Sequence, residues 1–238
     1  AAEAAAEDFA AAVLAAETAF DSHLVPAAEA VRQAIAEGRP GRPVVLADVQ
    51  DNAGAGATSD TTTLLRELLE QGARNAVLAL LWDPPAAAAA LAAGIGAALT
   101  LDLGGRYGDP PGPLTARVRV EALSDGNILC QGEMLAGVTV ALGPMALLRI
   151  LDQGAELRVA VCSQRFQCMD QAPLRALGVE PEDLAILAIK STIHFRADFE
   201  PIARRIINVE APGAHPCRLE SVPYRRLRPG LRLARAAA

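Results

Sequence analysis

The stretch Val44-Val45-Leu46-Ala47-Asp48-Val49 is apolar at nearly every position. It is followed by a glycine-containing loop and then by leucines at 64, 65, 68 and 69. A run without alternation belongs to a strand buried on both faces, whereas the leucine spacing marks one stripe of a helix. The succession then repeats. Asn75 to Trp82 reads as a second strand, Pro84 to Ala93 as a helix with proline in its first turn, and Ala97 to Leu103 as a third strand ending at Gly104-Gly105. Strands alternating with helices of this length predict βαβ units with right-handed crossovers, and therefore an α/β fold with a mainly parallel sheet and flanking helices.

The middle of the chain changes character. Leu114 to Leu123, Ile128 to Met134, Val138 to Leu142 and Met145 to Leu151 are short β-rich runs, with turn signals at Ser124-Asp125-Gly126-Asn127 and Asp152-Gln153-Gly154. They predict an antiparallel β-hairpin insertion. Glu156 to Cys162 and Leu184 to Lys190 resume the strand pattern, Phe195 to Arg205 reads as a helix, and Ile206 to Val209 as a last strand. Upstream, residues 1–37 combine alanine blocks with acidic residues and predict two helices, broken by Ser22 and Pro26. A linker rich in Gly and Pro ends at Pro43. The expected organisation is residues 1–42 as N-terminal helices and linker, and 43–238 as one α/β domain with a basic tail.

At 238 residues, 52% hydrophobic and 21% charged, the composition is that of a folded chain able to bury a sizeable core. Much of the apolar fraction is alanine, with 51 positions, and no uninterrupted apolar stretch approaches the roughly 18 residues a membrane span needs. The first nine residues carry Glu3, Glu7 and Asp8 and no basic residue, unlike a signal peptide, and there is no initiator Met. The expectation is a cytoplasmic protein that is part of something longer, with no membrane and no nucleic-acid partner. Assembly into a homo-oligomer is left open.

Net charge is −6, but from Arg204 onward eight arginines face only Glu210 and Glu220. Without an aromatic stacking motif, that tail is expected to fold back on an acidic body. The four cysteines, at 130, 162, 168 and 217, match no usual zinc spacing and are expected to be reduced thiols. Arginine supplies 21 of the 22 basic residues, so Lys190 is the single lysine.

Two segments could carry chemistry. The loop containing Asp51, Asn52, Gly54, Gly56, Asp60 and Thr61 joins a strand to a helix, where backbone N–H groups can cradle an oxyanion or a phosphate. It lacks the Gly-Lys-Ser/Thr of a P-loop and the GxGxxG fingerprint, and Asp60 has a second reading as the helix N-cap. Lys190, Ser191 and His194 also follow a strand, and could polarise a carbonyl or shuttle a proton at the same sheet edge. His215 lies in the rigid loop Ala211-Pro212-Gly213-Ala214-His215-Pro216, and His23 is expected at the surface. Three scattered histidines make a complete metal site within this chain improbable.

In order along the chain, Asp48 to Gly56, Ser59-Asp60-Thr61-Thr62, Asp102-Leu103-Gly104-Gly105, Leu142-Gly143-Pro144-Met145, Lys190 to Arg196 and Pro212 to Pro216 resemble the C-terminal domain of the microcystinase C (MlrC) family of metallopeptidases. The likeness runs from about Pro43 to Leu227. Ala53 stands where the family often has Pro, Ala55 where it often has Gly, and Arg106 where Lys is frequent. The resemblance implies a zinc-dependent hydrolase of small or linear peptides, about twice this length, whose zinc ligands and catalytic carboxylate lie in an N-terminal domain of the same protein. This chain would contribute one wall of the active-site cleft. Lys190, His194 and His215 would stabilise the oxyanion or position substrate, Asp51, Asn52, Gly54, Gly56, Asp60, Thr61 and Ser191 would bind it, and the chain itself would hold no metal. The alternative is a non-catalytic module using its glycine-rich loop for an anionic metabolite or for assembly.

Overall fold

The computed structural model describes residues 1–20, 23–107, 111–152, 154–231 and 233; the Ser22 break, Gln153 of the second turn signal, and Arg232 and Arg235 of the basic tail lie outside them. Its strands are β1 (Val25–Pro26), β2 (Val44–Asp48), β3 (Ala76–Trp82), β4 (Ala98–Leu103), β5 (Leu114–Ser124), β6 (Asn127–Leu129), β7 (Thr139–Ala141), β8 (Met145–Ile150), β9 (Leu157–Cys162), β10 (Ile186–Ile189) and β11 (Arg205–Glu210). The α-helices are α1 (Ala2–Ala15), α2 (Ala27–Glu37), α3 (Thr63–Glu70), α4 (Pro84–Ala93), α5 (Ala172–Arg175) and α6 (Arg196–Phe199).

One nine-stranded sheet runs in the order β1-β11-β2-β10-β3-β9-β8-β5-β4. The pairs from β1 to β9 are parallel, and those joining β9, β8, β5 and β4 are antiparallel. The expected mainly parallel α/β sheet with an antiparallel insertion is therefore present, and β6 and β7 form a separate two-stranded sheet. The strand 97–103 does not extend the parallel series. It becomes the antiparallel edge strand β4, because the following β5 pairs with it and carries it away from β3.

The central strands are apolar throughout because both of their faces are covered. Val44, Leu46, Ile186 and Ala188 face one cluster with the buried leucines of α3 and the alanines of α2 and α4. Val45, Ala47, Leu187 and Ile189 face the other, with Leu174, Phe195 and Phe199. Helix α4 starts as expected, with Pro84 in the first turn and the Asp83 side chain accepting the Ala86 N–H at 3.0 Å. Its small side chains, Ala86, Ala87 and Ala90, let it lie close on the sheet. The expected helix 195–205 shortens to α6, and the chain then turns to enter β11. Pro26 ends the two-residue strand β1 and α2 begins at Ala27.

The connections place the site. From β2 the chain passes through α3 on one face of the sheet and reaches β3 on one side. From β10 it passes through α6 on the other face and reaches β11 on the opposite side. Adjacent strands that diverge in this way open a crevice at their C-terminal ends. Lys190, immediately after β10, closes the floor of that crevice. It is fully buried, and its Nζ donates to Asp48 Oδ2 (3.0 Å), Asp51 Oδ2 (2.7 Å) and the Thr61 carbonyl (3.0 Å). Burial alone would lower the ammonium pKa, but the two carboxylates raise it well above the ordinary value, so the charge is kept. Burial raises Asp48, whereas Lys190 and the Thr61 hydrogen bonds hold Asp51 below the usual carboxylate value despite burial.

Two stability outcomes follow. Leu68 is fully buried, and Leu68→Ala is expected to cost about 2–5 kcal/mol in urea unfolding. Lys190→Met strands two buried carboxylates and is expected to cost about 3–5 kcal/mol, part of which returns when Asp48→Asn is added. A Lys190→Met chain as stable as wild type would refute the floor's structural role.

Candidate active-site wall

Asp51 gives the loop after β2 its shape. Its Oδ1 accepts the Ser59 N–H (2.7 Å) and the Thr58 hydroxyl (3.1 Å), and its Oδ2 accepts the Thr61 N–H (2.9 Å) and hydroxyl (2.8 Å) as well as Lys190. Asn52 completes the turn. Its Oδ1 accepts the Gly54 N–H at 2.8 Å, while its backbone carbonyl accepts the N–H groups of Ala55 and Ala57. With Ala53 N–H on Ser59 Oγ and Gly56 N–H on the Ala53 carbonyl, seven amides between 53 and 61 are satisfied within the loop. The expected anion cradle is therefore not formed. The loop turns these donors inward, the Ser59 and Thr61 amides onto the Asp51 carboxylate and the other five onto Asn52, Ala53 and Ser59.

Asp60 is not the N-cap of α3, a position taken by Thr62. Its Oδ2 instead accepts the N–H groups of Arg106 (2.8 Å) and Tyr107 (2.9 Å), and its carbonyl accepts the Gly105 N–H. Together with Gly104 N–H on Asp83 Oδ2 (2.8 Å), these bonds bring the loop after the antiparallel strand β4 back to the end of β3. Asp51, Asp60, Thr61, Lys190 and Ser191 are all buried, whereas Gly54, Gly56 and His194 are exposed and His215 is half-buried.

The exposed candidates are brought together through backbone and amide groups. The Val49 carbonyl, at the end of β2, faces both His215 Nδ1 (3.1 Å) and the Thr192 hydroxyl (3.2 Å), and Asn52 Nδ2 donates to Thr192 Oγ1 at 2.8 Å. His215 Nδ1 must donate to that carbonyl, which leaves Nε2 as the lone-pair nitrogen of the neutral ring. The loop carrying His215 is clamped by Gln50, whose Nε2 donates to the Ala211 carbonyl (2.5 Å) and whose Oε1 accepts the Cys217 N–H (3.1 Å). Gly213 is required there, since a Cβ would collide with the Gln50 backbone. Across the crevice, Gln167 Nε2 donates to Ser191 Oγ (2.9 Å), and its side-chain amide lies 3.4 Å from His194 Nδ1. Gln167 also lies against Gly54, where a Cβ would strike its Oε1.

Sequence reasoning missed Gln167, Thr192 and Gln50. Thr192 sits inside the Lys190 to Arg196 segment and Gln50 inside the Asp48 to Gly56 segment, so both were within reach; Gln167 is a lone amide whose partner Ser191 lies 24 residues away. A second missed group borders the crevice. One extra residue in β3 opposite β9, between Leu78 and Leu81, forms a bulge at the strand's end, and Trp82 then points its indole N–H at the Ser163 carbonyl (3.2 Å). No group of three or more His, Cys, Asp or Glu among the described residues is placed to hold a metal ion. The acidic groups at the edge are bound to Lys190 or to backbone amides, so these residues do not fit a metal centre of their own. Among the described residues no helix is long and apolar enough to cross a membrane. Arg205, within β11, pairs with Glu37, and Arg218 pairs with Glu210 at the end of the same strand, whereas Arg225, Arg226 and Arg228 are exposed.

Comparison with known proteins agrees with this layout. The chain is 33% identical over 168 residues to Microcystinase C of Sphingomonas sp, a match covering 70% of this chain and 32% of that protein. A crystal structure from Mesorhizobium sp. BNC1, assigned as a metallopeptidase, superposes with a TM-score of 0.78 at 23% identity over 97% of this chain and 45% of that one. The chain thus spans less than half the length of both. The family model for the MlrC C-terminus matches residues 46–226, so this chain belongs to the MlrC C-terminal family.

Proposed function

We propose that this chain forms one wall of the active-site cleft of an MlrC-type zinc metallopeptidase that hydrolyses a small or linear peptide. The zinc ligands and the catalytic carboxylate belong, in this reading, to an N-terminal domain of the same protein. The observation that carries the proposal is the pairing of His194 and His215. Both are held through Nδ1 at the crevice between β2 and β10, and no described residue meets either Nε2. Family membership and the likeness to Microcystinase C supply the reaction class.

The chemistry open to this wall is positioning and charge stabilisation. A ring fixed by a carbonyl at Nδ1 loses little freedom when its Nε2 binds. In the neutral form that nitrogen accepts a proton, and in the protonated form it donates to an oxygen that gains negative charge as a peptide carbonyl becomes tetrahedral. Asn52 and Thr192 brace the Val49 carbonyl that holds His215, and Gln167 braces His194. Lys190 is enclosed and acts as a positioning residue, holding Asp51 and through it the loop that faces His194. The anion-binding alternative loses its main support, because the loop amides already have acceptors.

The test uses the full-length protein. His194→Ala and His215→Ala are each expected to lower kcat/KM on a linear peptide by about 10²-fold, with bound metal unchanged by elemental analysis. His23→Ala, at an exposed N-terminal position, is the control and should match wild type. Full activity in both crevice variants refutes the cleft-wall role.

A further inference from the structure

At the C-terminal end of β3, beside the histidine crevice, the guanidinium of Arg165 lies over the Trp82 ring with its carbon 4.1 Å from the ring centroid. Tyr107 approaches the same indole, centroid to centroid at 4.9 Å with a 32° tilt. Trp82 ends β3, Tyr107 and Arg165 lie in the loops after β4 and β9, and the Trp82 backbone N–H donates to the Ser59 carbonyl, so the cluster adjoins the loop after β2. Arg165 and Tyr107 are exposed, and Trp82 is half-buried. Gln167, two residues beyond Arg165, touches Ser191 and His194. Two residues of chain span at most about 7 Å, so the backbone that carries this cationic platform adjoins the backbone of Gln167, which touches His194.

Arg165 differs from Arg106, its neighbour at this edge. Arg106 donates to the Asp102 carbonyl at 2.6 Å and lies 3.6 Å from Asp83 Oδ1. Arg165 enters none of the ion pairs among the described residues, in a chain whose net charge is −6. Stacking fixes the guanidinium plane on the indole and leaves its N–H edge open, which is the arrangement that binds a carboxylate through two parallel hydrogen bonds. We propose that Arg165, held on Trp82, is a specificity residue that binds a carboxylate of the peptide substrate. This rests on the cleft-wall reading above. The carboxylate is either the peptide's C-terminus or an acidic side chain, since both present the same planar anion.

The test compares three probes on the full-length enzyme: acetylated tetra-alanine with a free C-terminal carboxylate, the same peptide as a C-terminal carboxamide, and the carboxamide with one alanine replaced by glutamate. Wild type is expected to prefer a carboxylate-bearing peptide to the plain carboxamide by tenfold or more in kcat/KM. Arg165→Gln should remove that preference by raising KM for the carboxylate peptide alone, and Arg165→Lys should restore only part of it. Preference for the free C-terminus or for the glutamate peptide identifies the source. A second readout is Trp82 emission, taken as the difference from Trp82→Phe, which the carboxylate peptide should change in wild type and not in Arg165→Gln. If wild type cleaves none of the peptides, the peptidase reading fails while an Arg165-dependent Trp82 response still supports carboxylate binding. Equal selectivity in wild type and Arg165→Gln, with no Trp82 response, overturns the proposal.

Discussion

A single ammonium in the interior holds this edge of the sheet together. Lys190 follows β10, Asp48 ends β2, and Asp51 and Thr61 begin and end the loop that leaves β2, so four polar groups from two strands and a loop meet at one nitrogen. Removing such a charge from water is costly, and it is tolerated because four acceptor oxygens surround its three protons and two of them are carboxyl oxygens. With two carboxyls facing one ammonium, the excess falls on Asp48, whose Oδ1 has no partner among the described residues and whose pKa burial raises. The loop that carries Asn52, Gly54 and Gly56 is set by this floor, while His215 is held by Val49 and Gln50 and His194 by Gln167.

The loop's inward donors have a functional consequence. A glycine-rich strand-to-helix turn ordinarily offers its amides to a phosphate. Here seven of those amides are taken within the loop, two of them by the Asp51 carboxylate, so the outer surface is left to the two imidazoles and the half-buried Thr192, with Asn52 and Gln167 buried behind them. The antiparallel half of the sheet then widens the edge. Because β4 pairs only with β5, its hairpin is able to turn back over the sheet, and Asp60 and Asp83 catch its terminal loop through backbone N–H groups. The same catch brings Tyr107 to Trp82.

Much of the fold was readable from periodicity. The runs around Val44, Ala76, Leu157 and Ile186 show burial on both faces by their lack of alternation, and the leucines of α3 show a helix by their spacing. That Lys190, His194, His215 and the 51–61 loop share one edge also follows from the chain path, since all leave the C-terminal ends of parallel strands. The direction of β4 was not readable. A strand's own pattern records which residues are buried and nothing about its neighbour's orientation. The helix expected from 195 failed for a related reason, because β11 must start close by to pair with β2.

The sequence by itself determined the element types, the family and the residues able to do chemistry at the sheet edge, because each of these is carried by residues adjacent in the chain. The tertiary structure decided which of those residues are available. It buried Lys190, Asp51, Asn52, Asp60, Thr61 and Ser191 in the support and left His194 exposed and His215 half-buried. It also added Gln167, Trp82 and Arg165, which no local motif marks. These outcomes depend on contacts across as many as 166 residues, as between His215 and Val49, and on the competition of backbone amides for a limited number of acceptors. Such competition is resolved only when the strands are packed side by side.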